Sequence, residues 1–170
     1  MSADPNCVIL IGMPAAGKST IGVLLAKDMG KGFLDTDLAI QEATGRALQD
    51  IVDADGHHRL RAIEDETLRT LAPNNQVVAT GGSAVYSDAA MRHLRGFGPV
   101  VHLSAELATI EARIGDPVGR GLARQAGQSV ADLFRERLPL YQAHADVTVT
   151  VDGLSHREVV DSIRAALNQC

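Results

Sequence analysis

Apolar residues along the chain fall in short unbroken runs that alternate with stretches of helical spacing. Cys7 to Ile11 (CVILI) is continuous and rich in β-branched residues, which predicts a strand buried on both faces. Gly12 to Gly17 breaks it. From Lys18, apolar positions recur at Ile21, Leu24, Leu25 and Met29, predicting a helix that stops at Gly30. A second short strand around Gly32 to Leu34 runs into Asp35-Thr36-Asp37, and positions 38 to 72 read as helical, punctuated by Gly45 and Gly56. Gln76 to Thr80 is another apolar strand, closed by Gly81-Gly82. A helix from Asp88 to Leu94, a strand from Pro99 to Leu103 and a helix from Ala105 to Ile114 follow. Positions 115 to 127 hold glycines at 115, 119, 121 and 127 and read as a mobile loop. A helix over Val130 to His144, a strand over Val147 to Val151 and a helix over His156 to Leu167 complete the pattern.

Strands alternating with helices predict an α/β fold, a three-layer α/β/α sandwich on a five-stranded parallel sheet. With 170 residues, one domain spanning 1–170 is the economical reading. Ligands of such sheets sit beyond the carboxyl ends of the strands. Gly12 to Ser19, Asp35 with Asp37, and Gly81 with Gly82 each follow a predicted strand, so three candidate sites converge on one edge.

Composition narrows the partners. Aromatic residues are 3 % of the chain and Trp is absent, which disfavours single-stranded nucleic acid, a ligand that stacks on aromatic platforms. A net charge of −5 points away from nucleic acid and anionic membranes. Cys7 and Cys170 form no metal-binding pattern and are expected to be reduced thiols. No apolar run has the length of a membrane span and the start is short and polar, so a cytosolic address is expected.

Gly12-Met-Pro-Ala-Ala-Gly17-Lys18-Ser19 matches GxxxxGK[ST] between a predicted strand and a predicted helix, the context a P-loop requires. Successive backbone N–H groups and the positive end of a helix then face the phosphates of a nucleotide. Lys18 brings a point charge and Ser19 a hydroxyl ligand for Mg²⁺. No Asn-Lys-x-Asp stretch for guanine is present, and no later strand ends in a Walker-B acid. The acids are instead Asp35 and Asp37, whose i, i+2 spacing in an extended segment aims both one way. One can support the metal while the other orients an acceptor hydroxyl and takes its proton. The plainer reading of the pair is a cap on the next helix.

With GMPAAGKST, Asp35-Thr36-Asp37, Gly56-x-x-x-x-Arg61-x-x-Glu64, TGGS at 80–83, Arg120 and RLPLYQAHAD at 137–146, the sequence resembles the shikimate kinase family over nearly its whole length. The resemblance implies a kinase with ATP as co-substrate and Mg²⁺ as cofactor, monomeric, phosphorylating a hydroxyl of a small carboxylate. It implies acceptor-binding helices at about 36–72 and a lid at about 115–127. By position, Asp37, Lys18 and Arg120 would be catalytic, and Ser19 and Asp35 would serve the metal. Gly12, Ala15, Ala16, Gly17, Lys18, Ser19 and Thr20 would hold ATP, with Arg113 on the adenine and Arg120 on the phosphates. Asp37, Arg61, Gly81, Gly82, Ser83 and Arg137 would bind the acceptor, the two arginines clamping its carboxylate. Guanidinium forks suit that task better than lysines. Simpler readings stand beside these. Arg61 can be a helix-surface partner of Glu64 or Asp65, and Arg113 can favour a helix C-terminus. Tyr141 and Pro139 read as packing and turn residues, and His102 as a hydrogen-bonded core residue.

Several positions depart from the family pattern. Ser83 stands for the usual third glycine, Leu60 for the usual Phe, His57 for the usual Glu, Arg120-Gly121 for the lid Arg-Pro, and Ala15 for a common glycine. Gly153-Leu-Ser155 lacks an arginine often found near the nucleotide. Ser83 and Leu60 leave a smaller, open-chain acceptor such as homoserine open beside shikimate. A non-catalytic ATP sensor and a nucleoside monophosphate kinase are the other readings.

Overall fold

All five predicted strands pair in parallel in one sheet, in the order β2-β3-β1-β4-β5. The structure, a computed structural model, describes residues 6–115, 123–125 and 127–169. The strands are β1 (Val8–Ile11), β2 (Gly32–Asp35), β3 (Gln76–Ala79), β4 (Val100–Ser104) and β5 (Val147–Thr150). The helices are α1 (Lys18–Met29), α2 (Thr36–Thr44), α3 (Leu48–Asp55), α4 (His57–Thr70), α5 (Asp88–Arg95), α6 (Leu107–Ile114), α7 (Val130–His144) and α8 (His156–Leu167). β1 is central: Ile9 pairs with Val78 of β3 on one side and Val100 of β4 on the other. Its four residues are all buried, as a strand covered on both faces must be. α1 packs with α8 and covers β1, β2 and β3, while α8 lies on β5. α4, α5 and α7 meet around a 3₁₀ turn at Ala84–Tyr86, and α7 also reaches β4.

The helical stretch predicted at 38–72 divides into α2, α3 and α4. Gly45 takes φ 65° at the end of α2, and Gly56 takes φ 84° between α3 and α4, backbone that glycine adopts without steric cost. These helices have a small core of their own, in which Ile40, Ile51, Leu60 and Ala123 are buried with Leu48, Val52 and Ile63 against them. Pro139 lies inside α7, not at a turn, and its missing N–H removes one helical hydrogen bond.

Two backbone positions shape the loop after β1. Gly12 has φ 148°, and a Cβ there would sit 2.6 Å from the carbonyl oxygen of Leu103, so no side chain fits. Ala15 has φ 65°, a left-handed conformation that costs a non-glycine residue roughly 1 kcal/mol. Ala15→Gly is therefore expected to raise the melting temperature by about 2–4 °C, read by thermal unfolding; a lowered melting temperature would contradict the strain.

Candidate active site

The loop from Gly12 to Gly17 joins the central strand to α1. Gly17 caps α1 in a left-handed conformation with no side-chain hydrogen bond and no acid in the first turn. By contrast α2, α5, α7 and α8 are each capped by an Asp or Ser side chain. The first N–H groups of α1 are thus left for a ligand, and its positive end favours an anion. Lys18 is buried, and its Nζ donates to the carbonyls of Gly12 and Met13 at 2.8 Å each. Burial lowers its pKa to about 8, against the opposing pull of Asp37.

Asp35 and Asp37 face this loop, although not in the extended segment that their spacing predicts. Asp35 is the N-cap of α2 and Asp37 lies in its first turn. Asp35 does two things at once: Oδ1 accepts from the Asp37 N–H at 2.9 Å, and Oδ2 accepts from the Ser19 hydroxyl at 2.6 Å. The capping reading and the metal-side reading of Asp35 describe the same carboxylate. Burial raises the pKa of Asp37, opposed by Lys18 and reinforced by Asp35.

The turn after β3 forms the third wall. The Gly81 N–H donates to the buried Thr36 hydroxyl at 3.1 Å, and Tyr141 donates to the Gly82 carbonyl at 2.6 Å. A Cβ on Gly81 would lie 2.8 Å from Asp37 Oδ1, and one on Gly82 would lie 2.9 Å from an Arg137 nitrogen. Two glycines are needed for functional side chains to come this close.

Arg61 and Arg137 meet on one point: both donate to the carbonyl oxygen of Ala123, at 3.2 and 2.7 Å. Arg137 is 1 % exposed. Its Nε donates to the Tyr86 hydroxyl at 3.2 Å, and the Arg61 guanidinium lies 3.8 Å over the Tyr86 ring. Arg61 also stands 3.9 Å from Glu136, which accepts from Tyr86. The helix-surface pairing of Arg61 with Glu64 or Asp65 does not form. Asp65 instead pairs with Arg69 and accepts from Ser87, and Glu64 points into the site.

Together these groups enclose a cavity of about 310 Å³. Lys18, Ser19, Asp37, Glu64, Gly81, Gly82, Ser83 and Arg137 supply its polar lining, and Ile40, Leu48 and Leu60 supply an apolar wall. An anion site at the α1 terminus therefore opens onto a pocket lined by the carboxylates of Asp37 and Glu64 and the guanidinium of Arg137.

The shikimate kinase family model matches residues 14–168. The chain belongs to the shikimate kinase family. A shikimate kinase from Thermobifida fusca is 37 % identical over 169 residues, covering 98 % of this chain and 97 % of that one. One from Mycobacterium avium is 39 % identical over 164 residues, covering 94 % and 92 %. Among solved structures, shikimate kinase from Acinetobacter baumannii in complex with shikimate superposes with a TM-score of 0.88 at 29 % identity, covering 96 % of this chain and 93 % of that one. The protein is a P-loop kinase, a phosphotransferase to a hydroxyl group with ATP as co-substrate.

The kinase's sequence-predicted residues largely gather at this site. Gly12, Ala15, Ala16, Gly17, Lys18, Ser19 and Thr20 form the loop and the start of α1, and Ser19 and Asp35 touch. Asp37, Gly81, Gly82, Ser83 and Arg137 line the cavity, with Arg61 behind Tyr86 and converging on Ala123. Arg113 lies on the nucleotide side, its Nη1 donating to the carbonyls of Ala15 and Ala16 at 3.3 and 3.4 Å. Arg120 and most of the expected lid lie outside the described residues. His102 is a core residue stacked on Tyr141 at 5.1 Å, and burial lowers its pKa to about 4. It is not hydrogen-bonded through Nδ1 among the described residues.

Sequence reasoning missed Glu64, Tyr86 and Thr36 as parts of the site. The two tyrosines of the chain, Tyr86 and Tyr141, both brace its acceptor side. Their rarity was the available signal.

Proposed function

We propose that the kinase transfers the γ-phosphoryl group of ATP to shikimate, giving shikimate 3-phosphate. The observation that carries this reading is the convergence of Arg61 and Arg137 on the Ala123 carbonyl, with Arg137 beside Gly82 and lining one cavity with Lys18 and Asp37. A carboxylate held by that fork places a ring hydroxyl toward Asp37. The likeness to shikimate kinases over nearly the whole chain, one of them solved in complex with shikimate, supports the same acceptor.

Each residue has a task in this mechanism. The N–H groups of the loop and of α1 hold the phosphates, and Lys18 moves from the Gly12 and Met13 carbonyls to the β and γ oxygens. Asp37, with its pKa raised by burial, accepts the proton of the attacking hydroxyl. Ser19 and Asp35 present hard oxygen donors 2.6 Å apart beside the phosphate site. That suits Mg²⁺, which takes few protein ligands and keeps phosphate and water as the rest. When bound it neutralises phosphate charge. The helices α2 to α4 form the acceptor-binding region. A monomeric enzyme in the cytosol completes the reading.

Arg61→Ala and Arg137→Ala are each expected to raise the acceptor KM about 10- to 100-fold, the range for a charge-assisted hydrogen bond. The KM for ATP should change little. Steady-state kinetics with each substrate varied separately distinguish the two, and weakened ATP binding alone would displace the clamp. The function itself is tested by incubating the protein with ATP, Mg²⁺ and shikimate and identifying the product by ³¹P NMR. A phosphate monoester on the 3-oxygen is expected; ATP hydrolysis without a phosphorylated acceptor would favour the non-catalytic reading and defeat this one.

A further inference from the structure

Arg61 and Arg137 reach the acceptor side from different helices, α4 and α7, and Tyr86 stands between them on the 3₁₀ turn after β3. The turn is firmly seated: Ala84 and Val85 are buried, and the Tyr86 N–H donates to the Ser83 carbonyl at 3.1 Å. One side chain serves both arginines. The ring centroid lies 3.8 Å from the guanidinium carbon of Arg61 and 5.3 Å from that of Arg137. The hydroxyl accepts from Arg137 Nε at 3.2 Å and donates to Glu136, whose other oxygen accepts from Gln128 at 2.7 Å. Burial and the Glu136 bond raise the Tyr86 pKa, so the hydroxyl keeps the proton that it donates.

Arg61 has another partner within reach. Asp65 lies one turn further along α4, at the i, i+4 spacing that ordinarily favours an ion pair. Arg61, Asp65, Leu68, Tyr86 and Ser87 line a second cavity of about 320 Å³, so the guanidinium has space to swing toward that acid. It stays on the ring instead, with Nη2 donating to the Ala123 carbonyl. Stacking occupies the flat face of a guanidinium and leaves its N–H edge for a ligand, whereas an ion pair with Asp65 would consume that edge. We propose that Tyr86 is a positioning residue for the acceptor: its ring keeps Arg61 off Asp65 and its hydroxyl fixes Arg137, so both guanidinium edges stand ready for one carboxylate. The inference rests on the arginine pair as the carboxylate clamp and on shikimate as the acceptor.

The test measures kcat and both KM values for wild type, Tyr86→Phe, Tyr86→Leu, Asp65→Asn and the Tyr86→Leu/Asp65→Asn pair, with Arg61→Ala made in wild type and in Tyr86→Leu. Tyr86→Leu is expected to raise the shikimate KM roughly tenfold, the scale of a partly desolvated cation–π contact, with kcat and the KM for ATP little changed. Tyr86→Phe keeps the ring and should lose only severalfold, through the missing hydroxyl. Asp65→Asn alone should leave all three constants unchanged, and added to Tyr86→Leu it should recover part of the loss. Arg61→Ala should cost less in Tyr86→Leu than in wild type, because the ring acts through that side chain. An unaltered shikimate KM in Tyr86→Leu, even with a lower melting temperature, overturns the proposal and leaves shikimate phosphorylation standing. So does a penalty that adds in full to that of Arg61→Ala, or one shared equally by ATP. No recovery from Asp65→Asn overturns the part assigned to Asp65. Wild type that does not phosphorylate shikimate removes both the functional reading and this proposal.

Discussion

Replacing Asp37 by Asn is expected to lower kcat about 10²- to 10⁴-fold, the usual contribution of a positioned general base. The KM for ATP should be nearly unchanged. Asn keeps the shape of the side chain and its place in the first turn of α2 but cannot take a proton. Asp37 is suited to the task because burial raises its pKa, with Lys18 opposing the rise, which makes it more basic than an exposed carboxylate. Separate determination of kcat and both KM values is the check. Near-normal turnover in Asp37→Asn would remove the base assignment.

Lys18→Ala is expected to lose about 10²- to 10³-fold in kcat, the scale for deleting one preorganised charge at the transition state, and to weaken ATP binding as well. No second cation within the described cavity faces the loop as Lys18 does; Arg137 is committed to Tyr86 and Ala123. The pH behaviour of wild type provides an independent check. Burial depresses the Lys18 pKa from 10.5 to about 8, so the free enzyme loses this charge as pH rises through about 8. Since kcat/KM reports groups of the free enzyme, kcat/KM for ATP should fall above that pH. A flat profile to pH 10, or turnover retained in Lys18→Ala, would contradict the electrostatic role.

The fold was legible because each strand is a short continuous apolar run and α1, α5 and α8 carry clear spacing. It was less legible at 38–72, where Gly45 and Gly56 had to be read as breaks between separate helices. The phosphate loop was legible because its chemistry depends on backbone and local spacing alone. Asp35 and Asp37 were found for a partly wrong reason: the segment is a helix start, and the cap itself aims Asp35 at Ser19. Glu64 was hidden because its neighbour at helical spacing, Arg61, looked like its natural partner. What separates them is non-local. Tyr86 draws Arg61 to its ring face, and Ser83 draws Glu64 into the cavity. Ser83 and Leu60 suggested room for a smaller acceptor, yet Leu60 is buried in the wall with Ile40 and Leu48, and the Ser83 hydroxyl is engaged by Glu64.

The central claim is that a ring carboxylate with several hydroxyls fills the cavity between the phosphate loop and the arginine fork. Side-by-side kcat/KM for shikimate and homoserine, at saturating ATP with Mg²⁺, tests it most directly. The account predicts a preference for shikimate of at least about 10²-fold, as expected where a site's buried polar groups go unpaired with the poorer substrate. Equal values, or a preference for homoserine, would contradict it.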